Sequence, residues 1–133
     1  MRDFFHETLD DNELHEMSML ALAHIGDAVF ELMVRAHLCK SGLRRARELH
    51  RETVLSVSAS AQETAARKLI PVLTEDEHDV FMRGRNAKVK TIPKSASPET
   101  YHVATALEAL FGYTYLKGRY DRLNELFAIT ISE

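Results

Sequence analysis

The stretch ALAHIGDAVFELMVR, Ala21 to Arg35, decides how this chain folds. It reads as a short apolar helix, a break at Gly26, and an amphipathic helix beginning at Asp27. Beyond that point Val29, Leu32, Met33 and Ala36 recur at helical spacing and are expected to form the buried stripe. Gly26 is the residue best able to take an unusual backbone angle, and Asp27 follows it where a helix cap belongs. Ala23 and Ala28 beside it are small, so another group can come close. A carboxylate held there is either a cap or a ligand.

The surrounding composition narrows the class. A chain of 133 residues with 45% hydrophobic and 28% charged residues can bury a core as one globular domain. No apolar run approaches the ~18–20 residues of a membrane helix. The start, MRDFFHETLDDNELHE, carries acids where a signal peptide would be apolar, so no membrane partner is expected. One cysteine, Cys39, cannot make an internal disulfide, which points to a reducing cytoplasm. It reads as a small helix-packing residue. The net charge of −3 does not advertise a polyanion partner, but local charge is what such a partner meets.

Residues 1–16 are expected to form a polar arm or short helix with Phe4, Phe5 and Leu9 as its anchors, and residues 17–133 the globular domain proper. The Asp27 helix is expected to run to about Lys40 and stop at Gly42. A basic helix from Leu43 to about Leu55 carries Arg44, Arg45, Arg47, His50 and Arg51. An alanine-rich helix capped by Ser56 or Ser58 ends at Pro71. Thr74 with Glu77 three residues on is a capping box, and the helix it starts runs into RGRNAK. After a serine-rich loop between Pro93 and Pro98, Glu99 to about Leu116 is strongly helical, with Val103, Leu107, Leu110, Phe111 and Thr114 on its apolar stripe. A last helix spans about Asp121 to Ile131. With no alternating strand pattern, the chain is an all-α helical bundle.

Two constellations bear on chemistry. Glu108 stands in the middle of the most apolar helix, with Ala104, Thr105, Phe111 and Gly112 about one turn away. An unpaired buried carboxylate is costly, so Glu108 needs a partner, either an ion pair or a metal. Asp27 and Glu108 on small-residue faces of two helices suit a hard divalent cation such as Mg2+. Glu31 and His24 stand near Asp27 as supporting residues, Glu31 equally readable as a solvated helix residue. The histidines show no zinc-type spacing. The second constellation is Arg83 to Lys94, with Arg83, Arg85, Lys88, Lys90 and Lys94 and no acid, plus Asn86. It reads either as a solvated helix end or as a phosphate-binding surface. The lack of interleaved aromatics favours a duplex recognised by shape over single strands.

HIGDAVFEL resembles the signature segment of the ribonuclease III family, and ALEALFGYTYL resembles its second acidic motif. RGRNAK followed by TIPK is closer still to the compact Mini-ribonuclease III subfamily, and the likeness runs from about Met19 to Leu116. The resemblance implies an all-α endonuclease domain that forms a homodimer and cuts both strands of double-stranded RNA with Mg2+, leaving 5′-phosphate and 3′-hydroxyl ends. It maps the family's metal ligands onto Asp27 and Glu108. Two further acidic positions of the full-length enzymes fall on Ala23 and Thr105, a reduced set like that of the compact subfamily. It implies large-subunit ribosomal RNA precursor as substrate, a ribosomal protein as helper, and no double-stranded-RNA-binding domain after Glu133. The alternative is a non-catalytic RNA-binding or ribosome-assembly module on the same fold. A helical DNA-binding regulator is disfavoured because no two helices are joined in recognition geometry.

Overall fold

Most helices in this chain start where a short polar side chain can satisfy free backbone amides; the two exceptions among the described α-helices come after Arg45 and Arg119. The computed structural model describes residues 1–89, 91–94 and 96–133. Among them the regular elements are all helical: α1 (Asp11–Glu16), α2 (Met19–Lys40), α3 (Ala46–Val57), α4 (Ala59–Leu69), a 3-10 turn (Ile70–Val72), α5 (Glu75–Arg85), α6 (Pro98–Leu116) and α7 (Tyr120–Thr130). Asp10 and Thr74 form capping boxes with Glu13 and Glu77. Ser18, Ser58 and Ser97 cap α2, α4 and α6 by accepting from Ala21, Ala61 and Thr100 amides.

α6 is the axis of the bundle, in contact with α2, α4, α5 and α7. The expected stripe Val103, Leu107, Leu110, Phe111 and Thr114 is buried, and so are Ala104, Thr105, Ala106, Ala109 and Gly112 on its other faces. A helix apolar all round belongs at the centre. Phe30 meets Phe111 edge-on at 5.2 Å and Phe127 at 5.9 Å, joining α2, α6 and α7 in one core.

The expected break at Gly26 does not occur. α2 is one continuous helix capped by Ser18, so Asp27 lies in its interior and is not an N-cap. The buried face also differs from the expected stripe. Leu22, Ala23, Gly26, Val29, Phe30 and Val34 face inward, Met33 is half-buried, and Leu32 and Ala36 are exposed. The crossing with α6 at Gly26 selects the rows that touch it, and Leu32 lies off them. Cys39 is exposed and does not serve as a packing residue.

The N-terminal arm is held by backbone more than by its phenylalanines. Leu9 N–H donates to Leu116 O at 2.8 Å, Tyr115 Oη donates to Phe5 O, and the His6 ring lies 4.9 Å from that of Tyr120. Phe4 and Phe5 stay exposed, contrary to their expected role as anchors. At the other end of the bundle Glu77, 1% exposed, takes a two-pronged pair from Arg122 of α7, with Nε and Nη2 at 2.8 and 2.7 Å. No helix among the described residues is long and apolar enough to cross a membrane.

Candidate active site

Two glycines place the site. A Cβ on Gly26 would sit 1.6 Å from Glu108 O, and one on Gly112 would sit 2.0 Å from Leu22 O. The backbones of α2 and α6 therefore touch, which no side chain at either position would allow. Each glycine costs ~1 kcal/mol of helix propensity relative to alanine, so the close crossing is what retains them. It carries Asp27, the residue after Gly26, against Glu108 on the facing helix.

Asp27 is exposed at the rim and Glu108 is partly buried beneath it, their carboxyls within hydrogen-bonding reach of one another. Burial, then the Asp27 charge and the hydrogen bond between the two, push the Glu108 carboxyl up to about 8. The opposing influence is Gln62 of α4, whose Nε2 donates to Glu108 Oε2 at 3.4 Å. No Lys or Arg pairs with either carboxylate among the described residues. This is a pair of hard oxygen donors lacking a counter-charge among the described residues, and the donor set fits a divalent cation such as Mg2+. It is a small set: among the described residues no three His, Cys, Asp or Glu gather as a metal group.

The supporting residues distribute unevenly. His24 is exposed, one turn before Asp27 on α2. Glu31 is engaged by Arg35 at 2.8 Å rather than by the site. Thr105 is buried and donates its hydroxyl to Tyr101 O at 3.0 Å. Ala23 is buried in a small core with Leu14, Leu22, Ala109 and Leu116. Sequence reasoning missed Gln62. Its signal was available: α4 buries Gln62, Ala65, Ala66 and Leu69, a helical stripe in which one member is polar.

The basic run is less free than its sequence suggests. Arg83 lies 3.7 Å from Asp79 and Arg85 2.8 Å from Glu99, acids contributed by α5 itself and by α6. Lys88, Lys94 and Asn86 are exposed, and Lys88 and Lys94 have no carboxylate partner among the described residues; Lys90 lies outside them. Arg85, Asn86, Lys88, Glu99 and His102 line an open cavity of about 540 Å³. Arg45, just before α3, and Arg47 and Arg51 on it are exposed and likewise unpaired among the described residues, whereas Arg44 donates to the Cys39 and Leu43 carbonyls.

Paired carboxylates at a glycine-lined crossing of helices, with cationic surface on separate elements, suit an all-α domain that handles phosphate esters. Residues 20–119 match the model of the Ribonuclease III domain. A Mini-ribonuclease 3 of Symbiobacterium thermophilum is 48% identical over 107 residues, 80% of this chain and 82% of that one. Another, from Gloeobacter violaceus, is 47% identical over 115 residues, 86% and 83% of the two chains. A crystal structure of a Fusobacterium nucleatum protein superposes with a TM-score of 0.82 at 31% identity, over 90% of this chain and 95% of that one. The chain belongs to the ribonuclease III family, and it is an endoribonuclease.

Proposed function

We propose that this chain is a Mg2+-dependent, double-strand-specific endoribonuclease whose catalytic and metal-binding residues are Asp27 and Glu108. The observation that carries the reading is the pairing of these two carboxyls at the Gly26–Gly112 crossing, which raises Glu108 and leaves no protein cation between them. A divalent ion bound there supplies an activated water and charge stabilisation for phosphodiester hydrolysis, giving 5′-phosphate and 3′-hydroxyl ends. Asp27, at the exposed rim, meets the substrate backbone; Glu108, from beneath, fixes the ion's position. Lys88, Lys94, Asn86 and, once their acids are displaced, Arg83 and Arg85 hold phosphates, with Lys90 assigned by sequence alone.

The domain acts as a homodimer, since one protomer has one site and two strands must be cut. Leu20, His24, Ala28 and Leu32 are exposed on α2 beside Asp27, which supports a seam along that helix. The resemblance of RGRNAK and TIPK to the compact subfamily is what suggests large-subunit (23S) ribosomal RNA precursor as the substrate, with a ribosomal protein as helper, in the cytoplasm. The two-residue acid set is the one feature that favours the alternative, a non-catalytic RNA-binding module.

The test is a labelled RNA duplex incubated with wild type, Asp27→Asn and Glu108→Gln, in Mg2+ and in EDTA. Both strands are resolved on a denaturing gel, and binding is measured in parallel. Metal-dependent cuts by wild type alone, with binding kept by all three, are expected. A duplex bound but never cut would leave the assembly module.

A further inference from the structure

We propose that Gln62 is a positioning residue of this site: its side-chain amide holds the Glu108 carboxylate in the orientation that receives the divalent cation. The inference rests on the reading of Asp27 and Glu108 as ligands. Gln62 is 3% exposed, in a stripe otherwise made of Ala65, Ala66 and Leu69. A primary amide is costly to bury there, and an apolar side chain of the same length would pack as well. Its side-chain hydrogen bond among the described residues goes to Glu108 Oε2, at 3.4 Å. That length is long for an N–H donor, so a small approach of the two side chains would strengthen the contact.

The chemistry of the donor also matters. A neutral amide can support an ionised carboxylate without contributing a charge that competes with a metal ion, as Lys or Arg in the same place would. It engages one carboxylate oxygen from α4 while Asp27 approaches from α2, so Glu108 would still have donor capacity to share with Asp27 in holding a cation. Thr105, one turn before Glu108, cannot take this role because its hydroxyl is committed to the Tyr101 carbonyl. Residues that orient metal ligands in this way change metal affinity or activity about 10–100-fold when removed.

The test compares wild type, Gln62→Leu and the more adaptable Gln62→Met, with Asp27→Asn as control. Mn2+ binding is followed by calorimetry without RNA, duplex binding in EDTA, cleavage against Mg2+ concentration, and thermal unfolding in EDTA. Both Gln62 variants should bind Mn2+ about 10-fold more weakly and need correspondingly more Mg2+ for cleavage, with duplex affinity in EDTA unchanged. Wild-type Mn2+ affinity in a folded Gln62→Met protein would overturn the proposal and make Gln62 a packing residue. If wild type and Asp27→Asn bind Mn2+ equally, the assignment of the ligands themselves fails, and this proposal fails with it.

Discussion

Glu108 is a carboxyl that the metal-free fold keeps protonated near neutral pH. Its folded value of about 8 lies above the ordinary 4.5, so its contribution to stability is complete below pH 4.5 and is lost as pH rises towards 8. Denaturant unfolding in EDTA should show stability falling across that window, by up to ~1.4 kcal/mol per pH unit, and Glu108→Gln should flatten the slope. Mg2+ added at pH 8 should restore the lost stability, because the ion takes the place of the proton. Gly26 answers to sterics instead. Gly26→Ala puts a Cβ 1.6 Å from Glu108 O, against backbone that cannot rotate away, and should lower unfolding free energy by at least ~3 kcal/mol. If the variant melts within 1–2 °C of wild type, the two helices do not touch as described.

At the scale of elements, α5 is fixed at its start by Thr74 and across the bundle by Arg122. Glu77 serves both, capping the Thr74 amide at 2.9 Å while it accepts from the guanidinium, which holds its carboxyl below the usual range. Glu77→Ala removes cap and ion pair together and leaves Arg122 without its buried partner. A loss of ~3–5 kcal/mol in urea unfolding is expected, near the lower end because Arg122 reaches solvent. The capping box was legible from Thr74 and Glu77, three residues apart; the ion pair was not, because Arg122 is 45 residues away and its match depends on how α7 returns. The same difference governs the cationic surfaces. Arg83 and Arg85 looked free only because their acids lie outside RGRNAK, whereas Arg47 and Arg51 of α3 have no carboxylate partner among the described residues. Arg47→Ala with Arg51→Ala should therefore reduce the slope of log affinity against log salt for duplex RNA by ~2, as should Lys88→Ala with Lys94→Ala. An unchanged slope in either pair would remove that element from the interface.

For the whole molecule, the uncovered face of α2 is the place to look for a second copy. Leu32 is 50% exposed and Leu20 42%, both flanking Asp27. Leu20→Glu with Leu32→Glu should shift sedimentation from dimer to monomer while the helical circular dichroism stays intact, and cleavage of both strands should give way to single nicks. A dimer that persists would move the seam off this helix.

What the sequence determined by itself follows from local rules. Periodicity and caps set the all-α class, the helix start at Thr74 and the burial of α6, and offered Ser56 or Ser58 as the start of α4, of which the fold uses Ser58. Carboxylates on faces of small residues marked Asp27 and Glu108, since such faces are where helices approach. Local rules also erred where they met a crossing: Gly26, read as a break, is a contact, because glycine both loosens a helix and lets another backbone touch it. Nothing short of the tertiary structure separates those two. The fold alone also brought Gln62 of α4 to Glu108, 46 residues away, and set the acids of α5 and α6 against Arg83 and Arg85. Spacing along a chain fixes which face a residue occupies, but only packing fixes what that face meets.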